Sequence, residues 1–520
     1  MAEFLRHITT SAQRQSFVVN LSAFLCSLLL LVLISILTLI IVRGTGYFWP
    51  QPVMEVTYTD QRGLHSVYAR TQAFDENSSQ VWRVNFSDQA FPFGSRLLLE
   101  PAQVVAQEVA IDAAAVHLND GRVMLARPES VVTPDGQFAG MNRYQTAHQA
   151  VARVLEQIEQ IRVTQLAPIH EQLAEYDRRD VEQDAPARDK LRQAFDRWHS
   201  RVLELEQQRD SYRLRLRFAD NAPYELALAD IASIDFVGQL SVAGKLGVVF
   251  SNIGVFLTES PKQANTSGGV YPALFGTVLM VFLMTIIVTP FGVLAAVYLS
   301  EYAPDNTFTA AIRISVSNMA GVPSIVYGVF GLGFFVYTVG GSIDALFFAD
   351  RLPAPTMGTP GVFWASLTMA LLTLPVVIVA TEEGLRRVPE GLKAGSYALG
   401  ATKAETLFYT ILPIASPGIM TGVILAIARA AGEVAPLMLV GAVKFAPNLP
   451  VDGEFPYLHL DRQFMHLGVL IYDGAFHSQT DAKGAPMMFA ACLLLLLVVF
   501  VLNILAALLR TRLRKRYLIG

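Results

Sequence analysis

Hydrophobic and polar positions follow three different rhythms along this chain. The coarsest is a set of long apolar runs. Phe17 to Val42 contains no charge, and comparable runs lie at about 271–299, 312–340, 362–380, 415–441 and 486–509. Each is long enough to cross a hydrocarbon layer as a helix, which takes about 20 residues. The first run exceeds the roughly 7–15 apolar residues of a signal peptide. Its flank Arg43-Gly44-Thr45 offers no small-residue cleavage site, and Cys26 has no lipobox around it. It reads as an uncleaved first span with Arg6 and Arg14 on the cytoplasmic side, closing a segment 1–43.

Between 44 and 240 the rhythm changes to short alternating runs. Val53–Tyr58, Ser66–Arg70, Val81–Phe86, Val109–His117, Val123–Ala126, Tyr212–Phe218 and Tyr224–Leu228 read as strands. Asn119-Asp120-Gly121 supplies a hairpin turn and Pro134-Asp135-Gly136 another turn. From about 143 to 212 the period becomes helical. Leu166, Ile169, Leu173 and Tyr176 form one seam, and Leu191, Phe195, Trp198, Val202 and Leu205 a second. Pro186 and the acidic Val181–Asp184 stretch lie between them, so two antiparallel helices packed as a hairpin are expected. Phe250, Ile253, Phe256 and Leu257 then mark an amphipathic interfacial elbow within 241–270.

Composition agrees with a membrane protein: 52% of the 520 residues are hydrophobic and 16% are charged, against about 25% charged in soluble domains. A net charge of −4 gives no basis for nucleic-acid binding. Cys26 and Cys492 both lie in apolar runs, so no disulfide or metal framework is readable. Six spans put both termini on one side, and the basic tail Arg510–Arg516 within 510–520 makes that side cytoplasmic. The 44–240 insertion, 342–361 and 442–485 are then periplasmic or extracellular, and 300–311 and 381–414 cytoplasmic. The expected fold is an α-helical integral membrane protein with six transmembrane helices, a 271–509 core and a large mixed α/β insertion.

Candidate chemistry is sparse. Gly238 to Leu246 imitates a phosphate-binding loop, but has one residue too many before Gly244-Lys245, and Leu246 replaces Ser or Thr. No His-Glu-x-x-His, Cys-x-x-Cys or Gly-x-Ser-x-Gly occurs, and no enzyme chemistry is expected. Arg429 and Glu433 stand inside the fifth apolar run at i, i+4 spacing. An intramembrane arginine costs at least about 2.5–3.5 kcal/mol on insertion scales and faces a bundle interior or an aqueous path. Two readings stand: a structural ion pair, or an anion contact oriented by Glu433. In the third run, Gly321, Pro323 and Ser324 foretell a helix break, either beside a substrate path or as ordinary membrane packing.

One polar stretch between apolar runs, Lys393 to Thr402, is rich in Gly and Ala. It resembles the coupling loop of ABC-importer permeases, Glu-Ala-Ala, three residues, Gly, nine residues, Ile, one residue, Leu-Pro. Gly400 and Leu412-Pro413 stand at that spacing, whereas Ala394-Gly395-Ser396 replaces Glu-Ala-Ala and Thr410 the Ile, with Glu390 nearby. Ala320–Gly328, Thr381-Glu382-Glu383, Ser396–Thr402, Arg429–Leu437, Phe464–Leu467 and Ile471-Tyr472-Asp473 further resemble the permeases of Pst-type phosphate importers, on the A-subunit side. Val434 departs from a more usual Thr, and Val379-Ala380 stand where an Arg is expected.

The resemblance covers about 17–42 and 250–515 and leaves out 44–240. It implies an ABC-importer permease fold and inorganic phosphate transport across the bacterial inner membrane, with Arg429 and Glu433 on the substrate pathway. Ser396, Leu399, Gly400, Ala401, Leu412 and Pro413 would dock the ATPase. Implied partners are a homologous PstC-like permease, a PstB-like ATPase dimer, a PstS-like periplasmic phosphate-binding protein and membrane lipid. ATP-Mg would be bound by the ATPase, with no cofactor or metal in this chain. The alternatives are a permease for another oxyanion, or a membrane sensor or scaffold using the insertion.

Overall fold

The computed structural model describes residues 11–60, 63–76, 79–178, 186–262, 267–349, 353–453, 455–477 and 484–518. The Val181–Asp184 stretch lies outside these. The chain forms two units, Trp49–Asn252 and Met1–Phe48 with Ile253–Gly520.

Trp49–Asn252 contains eleven described strands in two main sheets. The first holds β1 (Met54–Asp60), β2 (Gly63–Glu76), β3 (Ser79–Ser87), β4 (Ser95–Leu99) and β5 (Val104–Val109), antiparallel throughout in the order β4-β3-β2-β1-β5. A single 3₁₀ turn, Pro101–Gln103, joins the last two. The second sheet holds β6 (Ala114–Leu118), β7 (Val123–Thr133), β8 (Gly136–Ala139), β9 (Arg213–Arg217), β10 (Pro223–Ala227) and β11 (Ile231–Asp235), in the order β10-β9-β7-β6-β11 with β8 beside β7. Here too a 3₁₀ turn, Leu228–Asp230, joins the last two strands. Leaving β8 aside, the second sheet repeats the first strand for strand. Both have the strand order of SH3-like barrels, a fold that carries many unrelated functions.

The repeat extends to register. Met54 pairs Ala69 and Val56 pairs Val67 in one copy; Ala114 pairs Ala126 and Val116 pairs Met124 in the other. Each fifth strand folds back on the first at Tyr58–Val104 or Leu118–Ile231, and each pairing shifts by one residue beside that point. Leu99 to Val104 and Leu226 to Ile231 correspond without a gap. The cores follow: Val56, Val67, Ala69, Val84, Phe86 and Leu99 are matched by Val116, Met124, Ala126, Leu216, Phe218 and Leu226. The copies meet through Val53 and Tyr68 of one and their counterparts Ala113 and Leu125 of the other, with Ala115. One patch thus faces itself, as across the two-fold axis of a homodimer.

The helical hairpin is inserted into the second copy alone, between β8 and β9. Its first arm is α1 (Tyr144–Ile161), a wide π turn at Arg162–Leu166, and α2 (Ala167–Arg178); its second arm is α3 (Pro186–Asp210). The buried seam is Val154, Ile158 and Leu166 against Val202 and Leu205. The sequence reading took Trp198 into this seam, but it is exposed, and the α1 contribution was missed. The single expected strand Val109–His117 is also two strands: its middle residues carry the chain from one sheet to the other.

The second unit has six helices long and apolar enough to span a membrane among the described residues: Gln15–Gly46, Tyr271–Tyr302, Ser324–Phe347, Val362–Arg386, Lys403–Gly432 and Pro486–Leu508. The fourth is the most buried and lies at the centre. Met280, Met284 and Val288 of the second, Ala365, Met369 and Leu372 of the fourth and Ala426, Ile427 and Ala430 of the fifth pack as one core. Small residues permit the closest approach. A Cβ on Gly418 would stand 2.5 Å from Gly384 Cα, and one on Gly422 2.9 Å from Ala380 Cβ. Ala380, one of two positions where an arginine was expected, is therefore filled by a packing residue.

Three span boundaries differ most from those expected from the sequence. The third span begins at Ser324 rather than near 312, because Thr307–Met319 is a separate helix, capped by Asn306 accepting from the Thr309 N–H at 2.9 Å. Pro323 caps the next helix from outside, so the break lies before the span rather than inside it. The fifth span begins at Lys403 and ends at Gly432, not 441. Leu412 and Pro413 accordingly lie within its helix rather than in a loop. A π turn at Leu407–Ile411 precedes Pro413, where the missing proline N–H would interrupt a regular ladder.

Candidate functional site

Arg429 lies in the last turn of the helix Leu412–Gly432, and Glu433 is the first residue beyond it, in an extended conformation. The sequence reading placed both far from a helix end. Pro436 explains the correction: it has no N–H to give to the Gly432 carbonyl, and its ring crowds that carbonyl, so the helix stops and restarts as Ala435–Val440. Arg429 Nε is 3.5 Å from Glu433 Oε1, with side chains 30% and 24% exposed. The positive charge also faces the negative end of its helix. Among the described residues the guanidinium has no hydrogen bond, and Glu433 is its ion-pair partner.

The two interrupted spans meet. A Cβ on Gly328 would stand 2.6 Å from Pro436 Cα, so the start of span three lies directly on the restarted helix after the Arg429 break. Tyr327 is buried and donates its phenolic proton to the Met319 carbonyl at 2.8 Å, stitching the first break. Within the Ala320–Gly328 stretch, the sequence marks Gly328 as thinning the helix but gives Tyr327 no role. Gly321 and Pro323 are exposed, and Ser324 is half-buried at the first helical position. They set the break before the third span.

The connector between spans four and five is the helix Glu390–Ala398, ended by a left-handed glycine. Gly400 has φ +87°. Its N–H reaches the Tyr397 carbonyl at 2.9 Å, and the Ala401 N–H reaches Ser396 at 3.2 Å, the paired closure of a Schellman motif. Thr402 then caps the next helix reciprocally with Glu405. Open space surrounds a Cβ at Gly400, so glycine is needed here for its backbone conformation rather than for packing within this chain. Leu399 beside it is 91% exposed, and Leu392, Tyr397, Phe408 and Tyr409 are exposed as well. Ser396 hydrogen-bonds Thr406 at 2.9 Å. Among the described residues, no group of three or more His, Cys, Asp or Glu is placed to hold a metal.

Residues 288–515 match the family described as binding-protein-dependent transport system inner membrane component. The chain is 34% identical over 244 residues to "Phosphate transport system permease protein PstA 1" of Mycobacterium tuberculosis (strain CDC 1551 / Oshkosh), covering 47% of this chain and 71% of that protein. It is 32% identical over 261 residues to "Phosphate transport system permease protein PstA" of Yersinia pestis, covering 50% and 78%. The chain belongs to this family of importer permeases, among its PstA-type members. Members of the family are transport subunits, and so is this multi-pass membrane protein. The solved MetNI methionine ABC transporter aligns over 47% of this chain at 20% identity with a TM-score of 0.33, a likeness too slight to add to this. The matched residues 288–515 leave Trp49–Asn252 outside.

Proposed function

We propose that the chain is the permease subunit that moves inorganic phosphate inward across the bacterial inner membrane in an ATP-driven importer. Both termini and the Glu390–Thr402 connector face the cytoplasm, and the Trp49–Asn252 unit faces the periplasm. The subunit pairs with a homologous PstC-like permease, two PstB-like ATPase copies bind ATP-Mg beneath, and a PstS-like protein delivers phosphate. The exposed apolar residues around Leu399 are the groove-filling surface for an ATPase. With Ala394 at the family's acidic position, that docking rests on shape and on the Gly400 turn.

The observation that carries the reading is Arg429 at a helix break in a chain of this family. A guanidinium fork suits the paired oxygens of phosphate and offsets part of the desolvation of a multiply charged anion. Glu433 holds the fork until an anion competes for it. The test is purification of the chain with its associated proteins, followed by reconstitution and phosphate uptake in competition with sulfate and phosphonate. An ATPase and a second permease should accompany it, and excess sulfate or phosphonate should leave uptake unchanged. Uptake suppressed by sulfate, or purification without an ATPase, would contradict the reading.

A further inference from the structure

The connector helix Glu390–Ala398 buries none of its own residues. An apolar face therefore does not hold it to the bundle; polar contacts must. Ser396–Thr406 ties it only to the start of the span that follows it. The other contact reaches much farther along the chain: Lys393 Nζ donates to Glu301 Oε1 at 2.8 Å, at the inner end of span two. The Lys393 and Glu301 side chains are 13% and 11% exposed, whereas Glu390, which also meets Lys393 at 3.2 Å, is 86% exposed. Burial works against the Lys393 charge, but its hydrogen bonds to Glu301 and Glu390 outweigh that and raise its pKa.

The end of span two is itself a packing hub. Val297 and Leu299 join Ile378 and Leu385 of span four and Leu407 and Ile411 of span five in a cluster separate from the main core. Arg313 donates to the Leu299 carbonyl, and its Nε lies 3.7 Å from Glu382 of span four. Lys403 lies over the Tyr302 ring at 4.3 Å. A displacement of the connector pulls on this block through one buried ion pair. Removing Lys393 strands the Glu301 charge away from water, and removing Glu301 leaves Lys393 only the exposed Glu390, so the pair resists separation.

We infer that Glu301 and Lys393 form the link by which the connector helix moves span two, making them positioning residues for coupling, an inference that rests on the permease reading above. Neither touches the transported anion; both act through the rigid-body movement of a packed block.

The test uses the full complex in proteoliposomes and reads phosphate moved per ATP hydrolysed. Glu301→Gln and Lys393→Met should each leave the ATPase bound and lower that ratio about tenfold, an ordinary coupling for contacting charged residues. The exchange Glu301→Lys with Lys393→Glu should recover most of it. An unchanged ratio in the single variants, an exchange no better than they are, or loss of the ATPase from the complex overturns the link. A spin label at the exposed Leu294 reports nucleotide-driven movement of span two whatever the cargo. The single variants should abolish that movement. Movement unchanged defeats the link, whereas a wild-type complex that moves span two but carries no phosphate defeats only the phosphate reading.

Discussion

The two units of this chain place their charges by opposite rules. In Trp49–Asn252, Arg213, Arg215 and Arg217 alternate along the outer face of β9 and meet Glu225 and Glu129 on neighbouring strands, every partner partly exposed. Arg215 and Arg213 hold the Glu225 carboxyl below its usual range by hydrogen bond and charge. In the membrane unit Asp344 is buried, and its two carboxylate oxygens accept the N–H groups of Thr356, Met357 and Gly358 at 2.7–3.0 Å. On the strand, charge is a water-facing coat whose pairs contribute little. In the membrane unit, each inward charge must have an assigned partner, so an incompletely satisfied one such as Arg429 points to function.

This contrast can be broken by substitution. Asp344→Ala orphans three N–H donors, each costing roughly 1–3 kcal/mol when buried, and should destabilise the membrane unit by about 3 kcal/mol or more. Thermal unfolding of the purified protein in detergent measures it, and an unchanged midpoint would show that water satisfies those donors. Arg217→Ala removes a bidentate pair of similar geometry from the strand face and should cost under about 1 kcal/mol. A loss as large as that of Asp344→Ala would erase the distinction between the units.

The smallest effect is expected from the hairpin. The first copy joins its second and third strands without a helical insertion. Trimming the hairpin tip by replacing residues 162–198 with a short Gly-rich turn, which keeps Ala147 and Val151 of α1 in the second sheet's core, should therefore leave that sheet folded. Limited proteolysis of the full chain checks the fold, and reconstituted phosphate uptake checks function. Both should match the parent protein. A second sheet that becomes protease-sensitive would show that the hairpin tip holds it together.

How much could be read beforehand follows the same division. Uninterrupted apolar length announces a span, and all six were found. Their ends were harder, because Pro323 and Pro436 act on carbonyls several residues away and shift the boundary from the edge of the apolar run. The i, i+4 spacing of Arg429 and Glu433 correctly suggested a pair, although Glu433 stands beyond the helix. The Glu301–Lys393 contact was not legible, since 92 residues separate the partners. In the barrel unit, β1 and β2 showed their alternation clearly. Ser95–Leu99, Val104–Val109 and Ile231–Asp235 were missed as strands, being short and flanked by 3₁₀ turns. The duplication escaped notice because what repeats is register and burial rather than residue identity, as in Val67-Tyr68-Ala69 against Met124-Leu125-Ala126.

The central claim is that Arg429 meets the transported anion. Its most direct test is phosphate uptake by the reconstituted complex carrying Arg429→Ala, with assembly and ATP hydrolysis measured in parallel. An intact complex that hydrolyses ATP and takes up no phosphate above background is expected. Uptake at the parental rate would contradict the claim and leave the Arg429–Glu433 pair a structural staple.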